Sequence, residues 1–98
     1  MANYELSNKA LNDLHGIWFS GASRWGRKQA DNYSLKIDEM CEFLFENPGL
    51  GRDKSEVFDG LKSYPVGSHS IYYIEQDSSI LVVRILHQRM DYEQHLLN

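Results

Sequence analysis

Five side chains in the second half of the chain, His69, Arg84, His87, Arg89 and Tyr92, are of the kinds that cleave phosphodiesters. Cutting RNA requires a group to take the 2′-hydroxyl proton, a donor for the departing 5′-oxygen, and cations to stabilise the phosphorane. Imidazole, guanidinium and phenol together cover those functions. The charge around them argues the other way. Between Arg52 and Tyr64 the cations Arg52, Lys54 and Lys62 are interspersed with Asp53, Glu56 and Asp59, and the chain has 14 acidic and 10 basic residues, a net charge of −4. A surface that grips RNA is normally basic. No residue is therefore assigned a catalytic role, and binding to other proteins is the favoured function, although Arg24, Arg27 and Lys28 form a local basic cluster. The lone Cys41 has no matching His or Asp in a catalytic motif and reads as a small buried hydrophobe. With one cysteine there is no disulfide or zinc-finger pattern, and no metal or cofactor is expected.

The elements that must position these residues can be read from periodicity. A chain of 98 residues, 42% hydrophobic and 24% charged, has room for one core, so residues 1–98 form a single domain. Asn3 to Leu6 suggests a short strand, and Ser7 can cap the helix that follows. Ala10, Leu11, Leu14, Ile17 and Trp18 make one helical stripe, weakened at Gly21-Ala22-Ser23. A second stripe, from Ala30 through Tyr33, Ile37, Met40, Cys41 and Leu44 to Phe45, stops at Asn47-Pro48-Gly49. Joined around Trp25-Gly26, with Trp25 read as a plug beneath the turn, the two helices form a hairpin. Leu50 to Phe58 reads as loop, Leu61 to Val66 as a strand, and His69 to Glu75 with Ile80 to His87 as a β-hairpin closed by Gln76-Asp77-Ser78-Ser79. Asp91 can cap a short terminal helix anchored by Leu96 and Leu97. The fold class is α+β in the order β-α-α-β-β-β. No secretory leader is apparent, and the longest apolar stretch, Ile80 to Val83, cannot span a bilayer, so a cytoplasmic location with no membrane partner is expected.

Strand alternation across an even loop puts His69, Ile71, Tyr73, Val82, Arg84 and Leu86 on one face, and Tyr72, Ile74, Leu81, Val83, Ile85 and His87 on the other. The second set is the more uniformly aliphatic and is assigned to the helix-covered core. The first is read as a protein-binding groove, with Arg84 alternatively a structural arginine. His87 reads either as a core-edge histidine or as a contact residue. On the second helix Leu35 and Phe43 lie away from the apolar stripe, either as an exposed ridge or under the first helix.

Several segments carry a further signal in their wording. Tyr4-Glu5-Leu6-Ser7, Ala10 with Asp13-Leu14, Trp25-Gly26 with Gln29-Ala30, and Asn47-Pro48-Gly49-Leu50-Gly51-Arg52 occur in that order. Gly67-Ser68-His69-Ser70-Ile71-Tyr72-Tyr73 and Val83-Arg84-Ile85-Leu86-His87-Gln88-Arg89-Met90-Asp91 follow. In register over nearly the whole chain, these resemble the ParE toxins of toxin–antitoxin modules, in the RelE/ParE superfamily. The resemblance implies a curved, mainly antiparallel sheet packed on a helical hairpin, with a short C-terminal helix. It implies a ParD-type antitoxin as partner and DNA gyrase as target, with nucleic acid reached only through the antitoxin. Leu35, Phe43, His69, Ile71, Tyr73 and Arg84 are the expected antitoxin contacts. His87, Arg89, Met90, Asp91 and Tyr92, in the polar tail, are the expected target contacts. The superfamily's ribosome-dependent messenger-RNA endonucleases, which carry dense lysine and arginine on the open sheet face, stand as the alternative. A diverged copy acting only in an antitoxin repressor complex is a third reading.

Overall fold

A computed structural model describes residues 3–97. Strand β1 (Glu5–Leu6) leads into helices α1 (Asn8–Trp25) and α2 (Arg27–Glu46). A single 3-10 turn (Pro48–Leu50) follows, then β2 (Arg52–Asp53), β3 (Lys62–Val66), β4 (His69–Glu75), β5 (Ile80–His87) and helix α3 (Tyr92–Leu97). The five strands form one sheet in the order β1-β5-β4-β3-β2, with β1 parallel to β5 and every other pair antiparallel. Helix α1 begins where its sequence says it should: the Ser7 hydroxyl accepts the Ala10 N–H at 3.0 Å. It does not weaken at Gly21 but continues to Trp25. Gly21 lies against Ala30 of α2, so a small residue there brings the two helices together. The chain reverses at Gly26, whose φ of 94° suits glycine. Trp25 is no plug beneath that turn; it is 65% exposed, with the Arg24 guanidinium 4.9 Å above its ring.

The predicted faces of the sheet are reversed in β4 and as far as Val83 in β5, whereas Ile85, Leu86 and His87 lie on their predicted sides. Ile71, Tyr73 and Val82, assigned to an open groove, are fully buried with Ile80 and Ile85 beneath Ala10, Ile37, Cys41 and Leu44 of the helical hairpin. Burial of each large side chain there contributes about 1.5–3 kcal/mol. The buried Tyr73 hydroxyl keeps its hydrogen bonds, donating to the Pro48 carbonyl at 2.7 Å and accepting the Gly51 N–H at 3.0 Å. The opposite face is also covered: Leu61, Tyr72 and Leu86 form a second core, packed by Val57 and Phe58 and by Tyr92 and Leu96 of the tail. The alternation fails a second time within β5. Tyr73 pairs with Val82, as the four-residue loop requires, but Tyr72 pairs with Arg84, so Val83 is an extra residue. This bulge moves Ile85 and His87 to the hairpin side and Leu86 to the tail side.

Cys41 is buried on α2, and that burial, reinforced by the carboxylates of Asp38 and Glu42, pushes its thiol up to about 12. The β3–β4 turn is fixed through Gly67, which has φ of 57° and faces Tyr33; a Cβ would lie 2.5 Å from the tyrosine oxygen. Gly67→Ala should therefore lower the unfolding free energy in urea by about 1–3 kcal/mol. Gly16→Ala, in an exposed part of α1 with open space for a methyl group, should raise it by about 0.5–1 kcal/mol. Equal effects at the two sites would contradict this account of the turn.

Candidate partner-binding surfaces

The sequence-predicted contact residues fall into separate groups. Arg84 is not a groove residue. Its Nε and Nη2 donate to the two carboxylate oxygens of Asp13 at 2.8 and 2.9 Å, and its Nη1 donates to the His95 carbonyl at 3.0 Å. The Ile85 N–H donates to the same Asp13 carboxylate at 2.9 Å. Both charged side chains are mostly buried, and the bonds it donates to Asp13 hold the Arg84 guanidinium even further above its ordinary range. This clamp joins α1, β5 and α3. The sequence reading held a structural role for Arg84 as an alternative, but had no signal that its anion was Asp13, 71 residues earlier.

His69 and His87 line a groove between the hairpin and one end of the sheet. Their rings meet edge to face at 5.2 Å between centroids, and His69 Nδ1 lies 2.7 Å from the Tyr33 hydroxyl. Burial, then the neighbouring His87, depresses the His69 pKa, with Asp13 opposing the shift. His87 Nδ1 accepts the Arg89 N–H at 3.1 Å, so the neutral ring carries its proton on Nε2. Beyond His87, Arg89, Met90 and Asp91 are exposed in a turn held by the Met90 N–H on the His87 carbonyl.

Tyr92 belongs to the tail-side face. It stacks on Tyr72 with a centroid separation of 5.5 Å, and Lys54 Nζ sits 4.7 Å from its ring. Of the five side chains first considered for acid–base chemistry, two histidines share one groove, Arg84 is committed to Asp13 and the tail, Arg89 is exposed, and Tyr92 lies across the sheet. They do not converge on one reacting position.

On the outer side of the hairpin Leu35 and Phe43 are 56% and 43% exposed, so α1 does not cover them. Phe19, missed in the sequence because the stripe reading followed only the buried side of α1, is 70% exposed. Asp31 accepts from Trp18 Nε1 and Asp38 from the Tyr4 hydroxyl, leaving Leu35 between two anchored positions of α2. Ile71 and Tyr73, by contrast, cannot take part in a surface contact without opening the core.

The chain matches a family model described as "ParE toxin of type II toxin-antitoxin system, parDE" over residues 4–92. It is 33% identical over 96 residues to "Toxin ParE1" of Caulobacter vibrioides, covering 98% of this chain and 99% of that protein. It is 35% identical over 96 residues to "Toxin ParE1" of Mycobacterium tuberculosis, covering 97% and 98% respectively. In structure it resembles a chain of "Chromosomal ParDE TA system from P. aeruginosa", with a TM-score of 0.70 and 20% identity, over 89% of this chain and 98% of that one. At that identity the structural likeness supports the fold.

The clamp can be tested on its own. Asp13→Ala strands a mostly buried guanidinium and the Ile85 amide together, and should cost about 2–3 kcal/mol of stability in chemical denaturation. A change under about 0.5 kcal/mol, the range of ordinary surface substitutions, would show that the clamp does not hold these elements together.

Proposed function

The chain belongs to the ParE toxin family of type II toxin–antitoxin systems, and from that membership we propose that it inhibits DNA gyrase by protein–protein contact. In this reading it is neutralised by a ParD-type antitoxin and acts without catalysing a reaction. The observation that carries the non-enzymatic part is the division of the ionisable groups. Arg84 is engaged by Asp13 and the His95 carbonyl, and the histidine pair lies across the sheet from Tyr92. With Arg84 and Tyr92 held away from the groove of the histidine pair, the side chains suited to phosphodiester cleavage are divided, which supports binding over catalysis.

The exposed turn of Arg89, Met90 and Asp91 is the proposed target contact. It projects between a strand on one side and a docked helix on the other, so its backbone is fixed while its side chains face solvent. Tyr92, stacked on Tyr72, ties the residue after this turn to the sheet, and His87 anchors the turn through the Arg89 amide. The antitoxin is assigned to the outer ridge of the hairpin, where Leu35 and Phe43 offer apolar anchors at helical spacing. Contact with nucleic acid is then made by the antitoxin alone, in keeping with the net charge of −4.

Two measurements address the two partners. The purified chain should inhibit supercoiling by gyrase while leaving ribosomal translation intact, and charge reversal at Arg89 should weaken that inhibition by roughly tenfold or more without changing stability. Translation arrest with cleaved messenger RNA and unaffected supercoiling would select the endonuclease reading; neither effect would select a toxin that is inactive by itself. Separately, Leu35→Asp with Phe43→Asp should weaken antitoxin binding by at least tenfold in titration calorimetry, the order expected for losing apolar anchors. Unchanged affinity would move the antitoxin off this ridge.

A further inference from the structure

The groove that contains the histidine pair has a composition unlike the rest of the molecule. It has a volume of about 550 Å³ and runs from the end of α1 to the β3–β4 turn, within the size range of ordinary ligand sites. Ile17 and Ala30 supply apolar floor, Trp25 and Tyr33 aromatic wall. Its ionisable cations and imidazoles are Arg24, Lys36, His69 and His87, and no Asp or Glu lines it among the described residues. In a chain with four more acidic than basic residues, this concentration of positive potential is local and one-sided. Trp25, largely exposed and held by the Arg24 guanidinium over its ring, is the kind of residue that anchors an interface once covered.

We propose that this groove is a docking site for an acidic peptide segment of a partner protein, one that sets an apolar side chain against Trp25 and Tyr33 and its carboxylates against Lys36, Arg24 and the histidine pair. The inference stands on charge complementarity and shape, independently of the toxin assignment. A nucleic acid strand is the less suitable polyanion, because it needs a basic track extending beyond a few side chains, and the net charge of −4 opposes it. A peptide needs only local charge and apolar cover.

Protonation should tune the site. His69 faces the Tyr33 hydroxyl and Lys36 from α2, Arg24 and the charge of Asp13 from α1, and His87 from β5. In the empty groove burial and His87 disfavour the charged imidazole. A bound carboxylate supplies the missing counter-charge, so binding takes up protons and strengthens as pH falls through the histidine range.

The probe is a fluorescein-labelled peptide of alternating Glu-Glu-Leu units, with a Gln-Gln-Leu peptide and oligothymidylate as comparators, followed by anisotropy with the full chain. Saturable binding of the acidic peptide is expected, several-fold tighter near pH 6 than near pH 8. Lys36→Glu and Trp25→Ala, both at exposed positions, should each weaken it by roughly tenfold. His69→Gln should flatten its pH dependence. The proposal is overturned by absence of saturable binding, by equal binding of the glutamine peptide, or by indifference to Lys36→Glu. Tighter binding of oligothymidylate would overturn it in favour of a nucleic acid site.

Discussion

The structure depends on how one sheet edge is completed without a strand. Strand β1 pairs with β5 only at Glu5 with Leu81 and Leu6 with Val82, and then the chain turns into α1. The next backbone groups of β5 would be left unpaired inside the molecule, which a small domain tolerates poorly. Ser7, which caps α1, and Asp13 within it take over. The Ser7 N–H donates to the Val82 carbonyl at 2.9 Å, its hydroxyl donates to the Val83 carbonyl at 2.8 Å, and Asp13 accepts the Ile85 N–H at 2.9 Å. Ser7 thereby caps its own helix and extends the sheet edge with the same oxygen.

Other features follow from that arrangement. The bulge at Val83 puts Arg84 opposite Tyr72 and brings its guanidinium to Asp13, which already holds the Ile85 amide. Arg84 then reaches the His95 carbonyl and fixes α3, so that Tyr92 and Leu96 can cover Leu86 and Tyr72. Helix α3, none of whose residues is fully buried, is thus placed by polar bonds as well as by packing. On the other side of the sheet the same bulge turns Ile85 and His87 toward the hairpin, and His87 beside His69 closes the end of the cationic groove. One extra residue in β5 supplies both the clamp and the groove.

Elements whose causes are local were legible in the sequence. Ser7 as a cap, the stop at Asn47-Pro48-Gly49, the reversal at Gly26 and the four-residue hairpin loop depend on neighbouring residues, and the segment resemblance carried the family. The sheet faces were not legible, because both are covered: with Leu61 and Leu86 buried on one side and Ile71 and Val82 on the other, aliphatic content does not distinguish them. The bulge was hidden because Val83 and Arg84 read as ordinary alternation, and its cause lies in partners far off in sequence. Arg84 was misread for the same reason, its anion being on α1. A helical wheel sets Leu35 and Phe43 apart from the buried stripe but leaves open whether the first helix covers them, and Trp25, read as a plug from its place beside Gly26, is exposed instead.

The central structural claim is that Asp13 acts as the missing edge partner of β5 and thereby positions the tail. Amide hydrogen exchange, followed by NMR in the native protein and in Asp13→Asn, measures this directly. The account predicts that the Ile85 amide is protected to a degree comparable with the β4–β5 ladder although no strand pairs with it there, and that the substitution speeds exchange at Ile85 and His95 together while the ladder amides of Tyr73 and Ile71 stay slow. An Ile85 amide that exchanges like an open strand edge in the native protein, or a tail whose exchange is indifferent to the substitution, would contradict it.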